Sequence, residues 1–109
     1  MTSLKGKTLF VSGGSRIISA VLQIVVNALD YKMDVAAAVA APRVHHQWMP
    51  DEVRAEHGFP QETLEALKAR GHQVIVPLGQ TSANSIAVTP TGLLGAPDPR
   101  TRGAEAAGQ

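Results

Sequence analysis

The stretch Ile17–Leu29 places the strongest constraint on what this chain can fold into. Polar residues recur through it every three or four positions: Arg16, Ser19, Gln23, Asn27 and Asp30. That spacing predicts a helix from about Ser15 to Tyr31 with one narrow polar stripe and apolar side chains elsewhere. Such a helix has to be buried on more than one side. A chain of 109 residues has few elements that can do so, which indicates a missing partner.

Composition narrows the classes of protein to which this chain can belong. Hydrophobic residues make up 44% of it but aromatic residues only 4%, so its core depends on Ala, Val, Ile and Leu. Ten basic against nine acidic residues give a net charge of +1, which predicts no nucleic-acid partner. Without cysteine, the chain has neither disulfides nor thiolate metal sites.

Neither a membrane span nor a secretory signal is expected. The longest apolar stretch, Ile17–Leu29, is shorter than the roughly 20 residues that cross a bilayer and is interrupted by polar residues. The opening MTSLKGKTLFV lacks the basic region and apolar segment of a signal peptide. The compartment is therefore unknown from the sequence.

Short elements flank the long helix on both sides. Residues Thr8–Val11 are β-prone and enter a tight turn at Ser12-Gly13-Gly14. The downstream pattern predicts, in chain order, a short helix over Met33–Ala41, an extended run over Arg43–Trp48, a helix between Pro60 and Gly71, and β-rich runs at His72–Leu78 and Ser85–Val88. We therefore expect an α/β chain with two or three helices, a few strands and a disordered tail.

The strand, glycine-rich turn and helix over residues 8–31 form a natural anion site. Backbone N–H groups at such a turn and at a helix N-terminus point at one spot, where the helix dipole favours negative charge. Two chemistries use this arrangement: the binding of a phosphate, and the stabilisation of the oxyanion formed during acyl transfer.

The phosphate-binding interpretation comes from the first residues. The opening MTSLKGKTLFVSGGSR resembles the first strand and turn of short-chain dehydrogenases. In that family's T-G-x-x-x-G-x-G pattern, the later two glycines fall here on Ile17 and Ser19, and a branched Ile17 blocks the approach of a pyrophosphate. The family's Tyr-x-x-x-Lys pair is also absent, because Val35 stands four residues after Tyr31. A nucleotide-binding remnant, joined to other sequence as a chimera, stays as an alternative.

A second resemblance extends much further along the chain. Residues 13–100 carry, in order, GGSRIISAVLQIVVNALD, MDVAAAVAAPRVHHQW, MPDEVRAE, GFPQETLEALKARGH, SIAV and GLLGAPDPR. In this order and approximate spacing the segments are similar to the C-terminal, small-subunit part of γ-glutamyltransferases, also called glutathione hydrolases.

This resemblance implies a fold and a site. The fold is a partial αββα sandwich of the N-terminal-nucleophile hydrolase type. The chain divides into an N-terminal strand of uncertain origin (residues 1–12), a γ-glutamyltransferase segment (13–102) and a disordered tail (103–109). Two adjacent glycines supply the family's oxyanion-hole N–H groups, and they correspond to Gly13 and Gly14. The Gly-Ser-Pro that precedes them in the family is replaced here by Phe10-Val11-Ser12.

The same resemblance implies an activity and partners. The family transfers or hydrolyses γ-glutamyl groups of glutathione-like compounds, with an N-terminal threonine freed by self-cleavage as the nucleophile. That threonine lies upstream of the oxyanion turn, and Thr2 does not stand in its context. We therefore expect the chain to require the large-subunit and nucleophile-bearing segments, to use no cofactor or metal, and to be inactive alone. A non-enzymatic interaction fragment is the alternative. Family members are usually periplasmic or extracellular.

Several other residues are expected to be structural. The histidines invite a metal-site interpretation: His45, His46, His57 and His72. Adjacent strand residues point to opposite faces, however, and no Asp or Glu stands at ligand spacing beside His45 or His46. Trp48 is expected to pack half-buried at a strand end. Asp98-Pro99-Arg100 is expected to form a rigid turn in which both charged side chains hold backbone groups.

Overall fold

The computed structural model describes the backbone of residues 8–13, 16–77, 81–103 and 105, and side chains from Arg16 onward. Their elements follow one another as β1 (Thr8–Gly13), α1 (Ile17–Leu29), α2 (Val35–Ala40), β2 (Val44–His45), β3 (Val53–Ala55), α3 (Gln61–Ala69), β4 (Val74–Ile75), β5 (Ala83–Thr89) and β6 (Gly92–Ala96). They form two compact units. Unit 1 comprises Met1–Ala41 and Thr81–Gln109, and unit 2 comprises Pro42–Gln80.

Unit 1 is built on an antiparallel sheet of order β1-β5-β6. The β1–β5 register runs from Thr8 opposite Val88 to Gly13 opposite Ala83. Strands β5 and β6 form a hairpin that closes where Thr89 pairs with Gly92. The Thr89 hydroxyl donates to the Gly92 carbonyl at 2.8 Å, and Gly92 has a φ of 141°, which a side chain would disfavour.

The two helices of unit 1 pack against this sheet, and their ends follow local sequence signals. Asp34 caps α2, because its Oδ1 accepts the Ala37 N–H at 2.8 Å. Helix α2 ends at Ala40, before Pro42. The core of the unit joins helix and strand residues: Ile24, Val35, Ala38, Val39, Ala83 and Ala96.

Among the residues that the structure describes, helix α1 is buried along one face. Ala20 and Ile24 are buried, whereas 85% of Ile18 and 61% of Leu22 are exposed. The prediction of burial on more than one side is therefore not met by the described residues, since they place one sheet against the helix. On the sheet, Ile86, Val88 and Leu93 also remain exposed.

Unit 2 contains a small mixed sheet of order β2-β3-β4. Strands β2 and β3 are antiparallel, whereas β3 and β4 are parallel and are joined through α3 as a βαβ unit. Helix α3 begins one residue after Pro60 and ends before Gly71, whose φ of 95° fits the predicted position just past the helix. No residue of α3 is buried.

Two strands were not predicted from the sequence. β3 has three residues, too few to display an alternating pattern. β6, Gly-Leu-Leu-Gly-Ala, contains two glycines, which are poor strand formers, and is stabilised by its pairing with β5. Local residue propensities therefore do not predict strands such as β3 and β6, which depend on pairing with a neighbouring strand.

The dinucleotide-binding interpretation is not supported by the sheet. A dinucleotide fold places its first strand in a parallel sheet, with the following helix as the crossover. Here β1 is antiparallel to β5.

Within the described residues, none of the helices combines the length and the apolar character needed to cross a membrane.

Candidate functional site

The predicted strand and helix are both present at the start of unit 1, as β1 and α1. Gly13 is the last residue of β1 and lies opposite Ala83 of β5. The second candidate glycine, Gly14, and Ser15 lie outside the described residues. The chain resumes at Arg16, whose carbonyl accepts the Ala20 N–H at 3.2 Å in the first turn of α1. Gly13 is thus placed between a strand end and a helix start.

The start of α1 favours an anion over a cation. Arg16, the N-cap residue, has a left-handed φ of 89° and its side chain makes no capping hydrogen bond. No acidic residue stands in the first turn. The positive end of the α1 dipole therefore meets no carboxylate from the first turn of the helix. The hydrogen-bond donors at this end of α1 are backbone N–H groups.

A buried carboxylate binds the strand residue that lies opposite Gly13. Asp98 follows β6 and is fully buried, with a side-chain exposure of 0%. Its Oδ2 accepts the Ala83 N–H at 2.6 Å, and Ala83 is the residue opposite Gly13. In return, the Asp98 N–H donates to Oδ1 of Asn84 at 2.8 Å. Asp98 is therefore bound to the end of β5 that faces the candidate glycine.

Arg100 anchors this carboxylate and the end of α2 together. Its Nη1 lies 3.0 Å from Oδ1 of Asp98 and donates to the Val39 carbonyl at 2.8 Å. Its Nη2 donates to the Ala41 carbonyl at 2.8 Å. These hydrogen bonds use carbonyls that the end of a helix leaves without intrahelical partners. The prediction that Asp98 and Arg100 hold backbone groups is confirmed.

The histidines of unit 2 make separate polar contacts. His45 Nε2 lies 3.0 Å from Oε1 of Gln47, and His46 Nε2 lies 3.0 Å from Oδ1 of Asp51. The expectation that no carboxylate stands beside these histidines is wrong for His46, because the chain turns after Trp48 and returns Asp51 to it. Among the described residues, His, Asp and Glu side chains do not gather in a group of three or more that could hold a metal ion.

Trp48 does not pack as predicted. Its side chain is 79% exposed and its backbone is left-handed, with a φ of 72°. Its backbone N–H donates to Nδ1 of His46 at 3.1 Å, which helps to hold the backbone of the turn. The sequence pattern indicated a strand end, but β2 already ends at His45.

Comparison with known families matches almost the whole chain to one of them. A family model described as Gamma-glutamyltranspeptidase matches residues 7–108. The match includes β1, so residues 8–12 need no separate origin. It also includes the turn at Gly13 and Gly14 and the Asp98–Arg100 segment.

Individual relatives agree with the family model. The "Glutathione hydrolase proenzyme" of Escherichia coli strain K12 is 54% identical over 99 residues, which are 87% of this chain and 17% of that protein. A Helicobacter pylori gamma-glutamyltranspeptidase mutant is 36% identical, with a TM-score of 0.78 over 93% of this chain and 59% of that one. A Pseudomonas nitroreducens gamma-glutamyltranspeptidase complexed with L-DON is 30% identical, with a TM-score of 0.81 over 98% of this chain and 59% of that one.

The chain matches only part of the length of each of these relatives. The chain spans about a sixth of the length of the E. coli relative. It spans 59% of each of the two solved chains. The described residues thus correspond to part of a larger enzyme fold in those proteins.

Proposed function

We propose, from the premise that this chain belongs to the gamma-glutamyltranspeptidase family, that it forms the oxyanion-binding part of an enzyme that transfers or hydrolyses γ-glutamyl groups. The observation that carries the proposal is the position of Gly13 at the end of β1, directly before the turn into α1. The substrate class is glutathione or a related γ-glutamyl compound, as the names of the relatives suggest.

Gly13 and Gly14 contribute backbone N–H groups to the reaction. When a nucleophile attacks the γ-glutamyl carbonyl, negative charge develops on its oxygen, and fixed N–H donors stabilise that charge. Glycines suit this task because a turn without side chains allows the carbonyl to approach the backbone closely. The N-terminus of α1 adds its dipole in the same direction.

The nucleophile comes from a separate segment. In the family it is a threonine that lies ahead of the oxyanion turn and uses its own amine as the base. Thr2 is close to Gly13 in sequence and does not take this role. The 109 residues alone therefore hold the donors of the site without the group that attacks.

An assay with a chromogenic γ-glutamyl anilide tests whether this chain lacks the nucleophile. The purified chain is expected to release no anilide above the level of a catalytically dead relative. Release that survives purification and is abolished by Thr2→Ala would contradict the proposal, because an N-terminal nucleophile would then be present in this chain.

A composite enzyme tests the role of the glycines. In it, the matching segment of the E. coli glutathione hydrolase is replaced by residues 8–103 of this chain. We expect the composite to hydrolyse the anilide, and Gly14→Pro, which removes an N–H donor, to lower its kcat by about 10²–10³-fold. The matched control is Gly14→Ala, which keeps the N–H. Equal losses in the two variants would show that the donor itself is not used.

A further inference from the structure

The hydrogen bonding between β5 and β6 continues beyond the end of β6. The ladder ends where Ser85 pairs with Ala96. Two residues later, the Asp98 carboxylate accepts the Ala83 N–H, and the Asn84 side chain accepts the Asp98 N–H. A side chain thus takes the place of a strand carbonyl at Ala83, the first residue of β5.

Ala83 is therefore held from two sides. On one side it lies opposite Gly13 in the antiparallel ladder with β1. On the other it donates to Asp98, and both Ala83 and Asp98 are 0% exposed. A buried, charge-assisted hydrogen bond of 2.6 Å is shorter and stronger than an ordinary backbone bond. The strand position that supports Gly13 is consequently fixed by a side chain far along the sequence.

Arg100 makes this support rigid. Its backbone N–H and its Nη1 both bind Oδ1 of Asp98, at 2.9 and 3.0 Å. Because the same guanidinium holds the Val39 and Ala41 carbonyls, Asp98 is oriented by the end of α2 as well. The Asp98 N–H bond to Asn84 and the Thr101 N–H bond to the Asp98 carbonyl at 2.9 Å complete the local frame.

We infer that Asp98 is a positioning residue for the oxyanion turn: through Ala83 it fixes the end of β1 and with it the backbone N–H of Gly13. This inference rests on the proposed function. Oxyanion donors have to lie within about 2.7–3.1 Å of the developing charge, and a misplacement of about 1 Å costs on the order of 10²-fold in rate. Removing the Asp98 carboxylate releases β5 at the residue opposite Gly13.

Hydrogen exchange on the full 109-residue chain tests the structural half of the inference. Asp98→Ala is expected to raise the exchange rate of the Ala83 amide and of the β1 amides at residues 11–13 at least tenfold. Asp98→Asn keeps one acceptor oxygen and should give an intermediate increase. Asp34→Ala, which removes the cap of α2, is the matched control and should raise the exchange of these amides by no more than about fivefold, the effect of its general destabilisation. Fast exchange at Ala83 with unchanged β1 amides would overturn the inference.

Kinetics of the composite enzyme test the functional half. Asp98→Asn is expected to lower kcat about tenfold or more with KM nearly unchanged, because the donors act on the transition state rather than on bound substrate. Asp34→Ala should leave both constants within twofold. Equal effects of Asp98→Asn and Asp34→Ala on kcat would show that Asp98 only stabilises the fold and does not position the N–H donors. An inactive composite without any substitution would instead count against the proposed function, and the exchange experiment would still decide whether Asp98 supports β1.

Discussion

The two compact units of this chain bury different kinds of residue. The core of unit 1 consists of aliphatic side chains around Ile24 and Val39, both 0% exposed, with Asp98 as a buried charge at its edge. In unit 2 the buried residues are Val53 and Ala55 together with two charged ones, Arg43 and Glu56. Unit 1 thus depends mainly on apolar packing, whereas unit 2 depends to a larger extent on polar groups that satisfy one another.

Because of this difference, the two units allow the stabilising effect of apolar packing to be compared with that of buried polar contacts. Apolar burial stabilises in proportion to area, by about 25 cal/mol per Å². A buried hydrogen bond contributes only about 1 kcal/mol net, but an unmatched buried partner is costly. Substitutions in the two units should therefore differ in kind, and the following predictions compare them in order of decreasing effect.

The largest effect is expected for Ile24→Ala in unit 1. Ile24 is 0% exposed and lies at the centre of the core, so its truncation leaves a cavity and should lower the free energy of unfolding by about 2–5 kcal/mol. Ile18→Ala, at a position 85% exposed, should change it by less than about 0.5 kcal/mol. Urea denaturation measures both. Similar values for the two variants would show that packing does not hold unit 1.

Glu56→Ala should give the largest polar effect in unit 2. Glu56 Oε1 accepts the Arg43 N–H at 2.7 Å, and the Glu56 N–H donates to the Arg43 carbonyl at 3.0 Å. Truncation leaves a buried N–H without this acceptor, at a cost of about 1–3 kcal/mol in the free energy of unfolding. Glu56→Gln keeps an acceptor oxygen and should cost clearly less. If Gln were as damaging as Ala, the charge rather than the hydrogen bond would matter.

Asp34→Ala tests a local polar contact within the apolar unit. Loss of the cap of α2 should lower the free energy of unfolding by about 1 kcal/mol, since the Ala37 N–H loses its partner. Asp34→Asn preserves a capping oxygen and should be nearly neutral. Thermal unfolding of the three proteins measures the difference, and a neutral Asp34→Ala would mean that packing alone sets the start of α2.

The smallest effect is expected on the surface of unit 2. Lys68 and Glu65 form an exposed pair on α3, with 3.3 Å between Nζ and Oε1. Lys68→Ala should therefore lower the free energy of unfolding by no more than about 0.5 kcal/mol. At about 1 M salt the difference should largely vanish because of screening. A salt-independent loss would identify the aliphatic stem of Lys68, rather than its charge, as the stabilising part.

Local signals predicted much of the fold. The three helices occur where the sequence pattern, including Pro60 and Gly71, placed them, within a few residues. These signals act over one or two turns, so the sequence displays them directly. β3 and β6 were missed because their stability comes from partner strands rather than from their own residues. The tail at residues 103–109 lies largely outside the described residues, so its predicted disorder stays a prediction.

The site was predicted in part. Gly13 was predicted in the turn but is the last residue of β1, because its pairing opposite Ala83 extends the strand. Gly14 lies outside the described residues, and the role of both glycines stays a proposal. The contact of Asp51 with His46 and the exposure of Trp48 were not foreseen. Both arise from the path of the turn over residues 48–51, which short-range propensities describe poorly.

By itself, the sequence determined the family and the order of the helices. Each of these depends on residues that are neighbours along the chain. Only the tertiary structure decided the long-range contacts: Asp98 meets Ala83 across 15 residues of sequence, and Arg100 meets Val39 across 61. Such contacts form when packing brings distant segments together and a buried charge takes the partners available there. The Asp-Pro-Arg turn predicted that backbone groups would be held, and the fold selected the end of β5 opposite Gly13.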